Sequence, residues 1–375
     1  MTKERYFELD WLLVMLILAV FMHHVFMPFN GDDWHIMNQE SSKFLDNTMV
    51  YFEQLRLQSL FFIAGAGSLL LLTKLSGKAF MLNKFHRLLV PLIIGMLLIV
   101  PPQHYYEHIQ DYPNLWSAYQ QRALAFSPNH LWFIEFLLVF MVLAIPLKRL
   151  IYSKNGQHVN TRLEQLVSHK HGLFSLVIVI VGCRFALKAF FPSQETHLAN
   201  PSVSLFYLLF FIFGMLFISS PKVWQVLRDN RRINLYWFVI CSLLFYAWFN
   251  KPDISPYVSL EMRWQMYWAV CSLVSWSGLL TMLGYAGQYC TTTPNWLRRA
   301  NELIYPFYIL HQTIIVAFAY YIVQWNASIA IKSVSLLVSS FLVCSFCCLL
   351  VIRPFNGLRY AFGLKKKTTA IQQSL

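Results

Sequence analysis

The chain has 375 residues, of which 57% are hydrophobic and only 13% charged, with a formal net charge of +13. A soluble domain carries about 25% charged residues, so this composition excludes a water-exposed globular surface. The positive balance does not point to nucleic acid, because Lys and Arg sit in short segments between apolar runs, where they encode membrane topology.

Those runs are roughly 17–24 residues long, the length that spans a hydrocarbon core. The reading is all-α: a polytopic transmembrane helical bundle of about ten spans, treated as one domain over 1–375. The spans fall near 11–29, 54–73, 88–103, 131–147, 172–190, 203–220, 233–250, 264–286, 303–324 and 329–352. Lys3/Arg5, Lys74/Lys78/Lys84/Arg87, Lys148/Arg149, Arg231/Arg232, Arg298/Arg299 and Arg353/Lys365 all fall on one side of these spans. The acidic residues Asp32, Asp33, Glu107 and Asp111 fall on the other. Basic loops face the cytoplasm, so both termini are expected there. The first run follows Lys3 and Arg5 as a signal peptide would, but it lacks a small-residue cleavage site and is expected to be retained. The seven cysteines lie almost entirely within apolar runs and read as small hydrophobes, with no metal expected.

The first span carries Leu9-Asp10-Trp11-Leu12 and, further on, His23-His24. Imidazole at that depth is costly unless it faces protein or water. At 100° per residue His24 lies within about 40° of Asp10 and about 20° of Leu13, whereas His23 is a quarter-turn away. His24 is therefore the candidate general base and His23 the structural neighbour. An interhelical hydrogen bond would account for the same histidine. The long segments 30–53 and 104–130 are rich in His, Trp, Tyr, Asn and Gln, which suits a stacked, hydrogen-bonded sugar as well as an interfacial aromatic belt.

In the second span Leu60-Phe61-Phe62-Ile63-Ala64-Gly65-Ala66-Gly67 supplies small residues for close helix approach. Lys84 and Arg87 are spaced i, i+3 before the third span and form a candidate phosphate grip, or a plain orientation signal. The fourth span opens with His130-Leu131-Trp132-Phe133-Ile134-Glu135, and a carboxylate at Glu135 needs a partner or a function; Arg184 and Lys188 are candidate partners. In the ninth span Tyr305, Tyr308 and His311 form a polar stripe at i, i+3, i+6.

Taken in order, these stretches resemble the acyltransferase-3 family of bacterial integral membrane proteins. The matching segments are Leu9-Asp10-Trp11-Leu12 with His24, Phe61-Phe62-x-x-Gly65, Lys84-x-x-Arg87 with Pro91, His130-Leu131-Trp132-Phe133, and Tyr305-Pro306-x-Tyr308-x-x-His311. The resemblance implies a multi-pass protein of the bacterial cytoplasmic (inner) membrane. It also implies transfer of an acyl group, commonly acetyl, from cytoplasmic acyl-coenzyme A to a hydroxyl of an extracytoplasmic glycan or glycolipid. It assigns His24 to catalysis and Lys84 with Arg87 to the coenzyme A side; Glu135, as a carboxylate within an apolar run, is the second catalytic candidate on its own chemistry. Asp10, His23, His130, Trp132, Tyr305, Tyr308 and His311 stand as further polar candidates. One departure is that the family commonly has Arg three residues after the Asp, where this chain has Leu13. A transporter with a His/Glu proton relay, or a non-catalytic family member, are the alternative readings.

Overall fold

The computed structural model describes residues 6–193 and 195–367; the orientation residues Lys3 and Arg5 lie outside the described residues. Ten helices among these residues are long and apolar enough to cross a membrane. They are α1 (Phe7–Phe29), α2 (Lys43–Leu72), α3 (Gly77–Glu107), α4 (Leu115–Ile151), α5 (Gly172–Phe190), α6 (Pro201–Ser219), α7 (Arg231–Phe249), α8 (Leu260–Tyr289), α9 (Asn295–Ile322) and α10 (Ile329–Ile352). No strand occurs among the described residues. The chain is thus an all-α, multi-pass membrane protein, as its composition requires.

Several helices outrun the apolar stretches that predict them. α2 begins at Lys43 rather than near 54, and α9 at Asn295 rather than near 303. Hydropathy detects only the part of a helix that would lie in hydrocarbon, whereas backbone hydrogen bonding continues through polar turns such as Asn295-Trp-Leu-Arg-Arg. Starts are marked by side chains that accept the free backbone N–H groups of a first turn. Asn200 does so ahead of α6, Ser259 ahead of α8 and Ser328 ahead of α10. The segment 104–130, expected as a connection, is largely helical too: α3 runs on to Glu107, and Leu115–Arg122 starts with a reciprocal Asn114–Ser117 capping box.

α3 is irregular where its prolines dictate. Proline has no N–H and its ring crowds the carbonyl four residues back, so it removes one rung of the ladder and strains the turn before it. Phe85–Leu89 and Gly95–Ile99 are π-helical turns, one ahead of Pro91 and the other ahead of Pro101-Pro102. Val90 donates to the Phe85 carbonyl and Val100 to the Gly95 carbonyl, a wider spacing than the α-helical one. Arg87 sits inside the first π turn.

By their contacts the residues form two compact units interleaved along the sequence. One holds the chain up to Leu16, Tyr51–Phe80 and Val139–Pro294; the other holds Ile17–Val50, Met81–Leu138 and the chain from Asn295. In the first unit, α2 and α6 meet backbone to backbone. A Cβ on Gly65 would lie 1.9 Å from the Phe211 carbonyl oxygen, and one on Gly214 would lie 1.9 Å from that of Phe62. Small residues at a crossing are what allow such an approach in lipid. Gly67, by contrast, faces open space. All seven cysteines are free.

The second unit builds its apolar core around Phe21, which packs edge-on against Phe307 at a centroid separation of 5.2 Å. Lys332, 7% exposed on α10, donates to Asn38 Oδ1 and to the Val323 carbonyl, both at 2.8 Å. It thereby holds the segment that follows α1 in place. This unit also contains most of the polar side chains singled out above.

Candidate active site

The polar core of the second unit is assembled from α1, α3, α4 and α9. His24 on α1 faces His311 on α9, with ring centroids 5.2 Å apart. His311 in turn faces His130 at 5.4 Å. Trp34 stacks on His24 at 6.3 Å with 26° between the ring planes. His23 lies beside His24 at 5.4 Å, turned away from this line by its place on the helix.

Hydrogen-bond partners fix what each imidazole can do. His311 places Nδ1 against the Tyr308 carbonyl, an acceptor only, so Nδ1 carries the hydrogen and Nε2 the lone pair. That Nε2 is buried and makes no hydrogen bond among the described residues. His130 is different. Its Nε2 lies 3.0 Å from the Ile309 carbonyl and must donate, while its Nδ1 accepts from Gln103 Nε2 at 3.2 Å. Tyr308 Oη donates to the His130 carbonyl at 2.5 Å. Both nitrogens of His130 are therefore spent on structure, and only His311 of this pair keeps a lone pair for chemistry.

A ring of amides supports the histidines. Gln103 Nε2 also donates to Thr313 Oγ1 at 2.6 Å, and Thr313 passes its own hydrogen to the Ile99 carbonyl at 2.7 Å. Ile99 closes a π turn of α3. The Gln312 amide nitrogen faces three acceptors: Gln103 Oε1 at 3.1 Å, Asn129 Oδ1 at 2.9 Å and His35 Nε2 at 3.0 Å. Three acceptors around one terminus identify that terminus as the NH2. His35 then donates from Nδ1 to Glu107 Oε2 at 2.8 Å. The result is a chain of fixed donors and acceptors in an apolar surrounding, where each bond holds its neighbour's orientation.

At the other end of the Tyr305–Tyr308–His311 stripe lies the basic pair. Arg87 is exposed and donates from Nε to the Gly363 carbonyl at 3.4 Å. Its terminal nitrogens make no hydrogen bond among the described residues. Gly363 has φ +72°, and a Cβ there would lie 2.6 Å from the Arg87 carbonyl, 3.0 Å from Tyr305 Cε1 and 3.1 Å from Pro91 Cγ. Only glycine fits so crowded a left-handed position. Lys84 ends the preceding α-helix and Arg87 lies in the π turn, so the pair does not share a regular α-helical face as its i, i+3 spacing predicts. Tyr305 Oη is buried with no hydrogen bond among the described residues. From Tyr305 to His311 is six residues, about 9 Å along the helix.

The acyltransferase-3 family model, described as an acyltransferase domain, matches residues 6–353. The chain belongs to the acyltransferase-3 family. It is 24% identical over 236 residues to the glucans biosynthesis protein C of Escherichia coli (strain K12), and 23% identical over the same length to that of Escherichia coli O157:H7. The alignment covers 59% of this chain, and the chain spans about 60% of the length of these relatives. No solved structure matches it.

In this family member the residues named from the sequence separate into groups. His24, His130, Tyr308 and His311 converge. Tyr305, Arg87 and Pro91 converge on Gly363. Asp10 belongs to the first unit, where Thr293 donates to it at 3.3 Å and Trp11 donates to the Thr292 carbonyl at 2.8 Å. Trp132 packs edge-on against Phe136 at 5.1 Å. Glu135 is half-buried and makes no hydrogen bond or ion pair among the described residues. Its two candidate partners are otherwise engaged: Arg184 lies 4.3 Å over the Phe206 ring, and Lys188 donates to the Ser193 carbonyl at 2.6 Å. Gln103, Asn129, Gln312 and Thr313 are the site residues that sequence reasoning missed. The signal available for them was polar amides set within or beside apolar runs, which must find partners.

Proposed function

We propose that the protein transfers an acyl group, acetyl in the first instance, from cytoplasmic acyl-coenzyme A to a hydroxyl of an extracytoplasmic glycan. The observation that supports this most is the His24–His311 pair: two facing imidazoles, one with its tautomer fixed so that a buried lone pair remains. That is the arrangement of a base with an orienting group behind it.

His24 takes the proton of the acceptor hydroxyl as its oxygen attacks the thioester carbonyl carbon. His311 Nε2, held by its Nδ1–H bond to Tyr308, accepts from the far nitrogen of His24 and steadies the imidazolium. The tetrahedral intermediate collapses, the carbon–sulfur bond breaks, and the imidazolium returns its proton to the departing thiolate. An ester and free coenzyme A result.

Lys84 and Arg87 meet the donor's phosphates on the cytoplasmic side, Arg87 through its terminal nitrogens. The slender pantetheine arm follows the Tyr305–Tyr308–His311 stripe inward, where the Tyr305 hydroxyl offers it a hydrogen bond. Glu135 stands as a second acid–base group on α4. A basic residue at position 13 is not required by this scheme. The glucan in the relatives' name makes a glucose polymer the first acceptor to try.

The test is turnover by the full chain purified in lipid nanodiscs. With acetyl-coenzyme A and a glucose oligomer, the reading expects free thiol in step with a mass gain of one acetyl group on the sugar. Thiol release without an acylated sugar, or no release with any glycan, contradicts it.

A further inference from the structure

The structure assigns a binding subsite for an uncharged polyhydroxylated sugar to a cavity between the end of α3, the segment after α1 and the end of α9, all within the second unit. This rests on the acyl-transfer reading above for its ligand class. The cavity holds about 470 Å3, within the range of roughly 300–1,000 Å3 typical of small-molecule sites. Its wall includes His35, Tyr106, Glu107, Asp111, Tyr320 and Gln324.

The lining carries the chemistry a sugar needs. Glu107 and Asp111 present carboxylates to hydroxyl donors, and Gln324 adds an amide. Tyr106 and Tyr320, with centroids 5.6 Å apart, supply aromatic surface for the apolar face of a pyranose ring. The basic groups lining the wall are His35 and His108, with no Lys or Arg, so the two carboxylates disfavour an acidic glycan, which would meet like charge.

The location links this cavity to the histidine pair. Trp34 and His35 are adjacent in sequence; Trp34 stacks on His24 while His35 lines the cavity. His35 is held from both sides, by Glu107 at Nδ1 and by Gln312 at Nε2, and Gln312 directly follows His311. Gln312 is 2% exposed and lies behind His35, outside the cavity wall. A sugar gripped by Glu107 therefore sits one side chain, His35, away from Gln312, the sequence neighbour of His311, and next in the chain to Trp34, which stacks on His24. Glu107 and Tyr106 are positioning and specificity residues in this account.

The experiment measures binding by calorimetry to the full chain in nanodiscs, with a linear glucose oligomer and a glucuronic acid oligomer as probes. The subsite predicts that the glucose oligomer binds and that the uronic acid binds about tenfold more weakly or worse. Glu107→Gln and Tyr106→Ala, each checked for native elution and melting, should weaken glucose-oligomer binding by about tenfold, the scale of one charge-assisted hydrogen bond. In turnover the same variants should raise KM for the sugar far more than KM for acetyl-coenzyme A. Binding with these properties but no acyl transfer supports the subsite while refuting the proposed reaction. Acyl transfer with sugar KM unmoved in both variants, or equal affinity for the two oligomers, overturns the subsite and leaves the reaction standing.

Discussion

At the scale of single residues, burial and partner identity separate histidines that look alike in the sequence. His130 and His311 both lie deep, 6% and 1% exposed, yet one spends both nitrogens on a carbonyl and an amide while the other keeps a lone pair. Gln312 bears the strictest demand, since its one NH2 faces three acceptors. Gln312→Leu is expected to leave those acceptors short of a donor and to cost about 1–3 kcal/mol, read as a lowered unfolding midpoint in detergent. An unchanged midpoint would show that the amide ring carries no stability. His24, His130, Tyr308 and His311 were legible in the sequence because polar groups inside an apolar run stand out. Their division into structural and chemical roles was not, because tautomers depend on carbonyls contributed by another turn or helix. Gln103 and Thr313 escaped notice for a related reason: a lone amide or hydroxyl near a helix end carries no motif.

At the scale of elements, the existence of all ten helices followed from apolar run length, and only their ends were displaced. The Gly65 segment was legible as a close-approach surface, and the α2–α6 crossing bears that out at Gly65 but not at Gly67. Gly65→Ala drives a methyl group into the Phe211 carbonyl, a backbone atom that cannot rotate away. The expected cost is about 3 kcal/mol or more, with loss of monodisperse protein, while Gly67→Ala should be neutral. Equal behaviour of the two variants in size-exclusion and melting measurements would contradict the crossing. The π turns of α3 were not legible, although Pro91, Pro101 and Pro102 were in plain view. Proline predicts a break in the ladder but not whether the chain answers with a kink or with a widened turn. That choice matters, because it sets where Arg87 projects.

At the scale of the whole molecule, the family is fixed by a match over residues 6–353, and the candidate site gathers residues as distant as 24, 103, 130 and 311 into one compact unit. The sequence supplied these as separate polar marks in order along the chain; folding supplies the pairing. Asp10 shows the limit of order alone, since it neighbours His24 on the helical wheel yet is engaged by Thr293 in the other unit. The central claim is that His24 and His311 act together on the acceptor hydroxyl. The most direct measurement is kcat for acetyl transfer by the purified chain with His24→Ala, His311→Gln and the double variant. The account predicts a loss of about 100-fold or more in each single variant, with the double variant little worse than either, as for groups that act as a unit. Full activity in His24→Ala, or losses that multiply in the double variant, would contradict it.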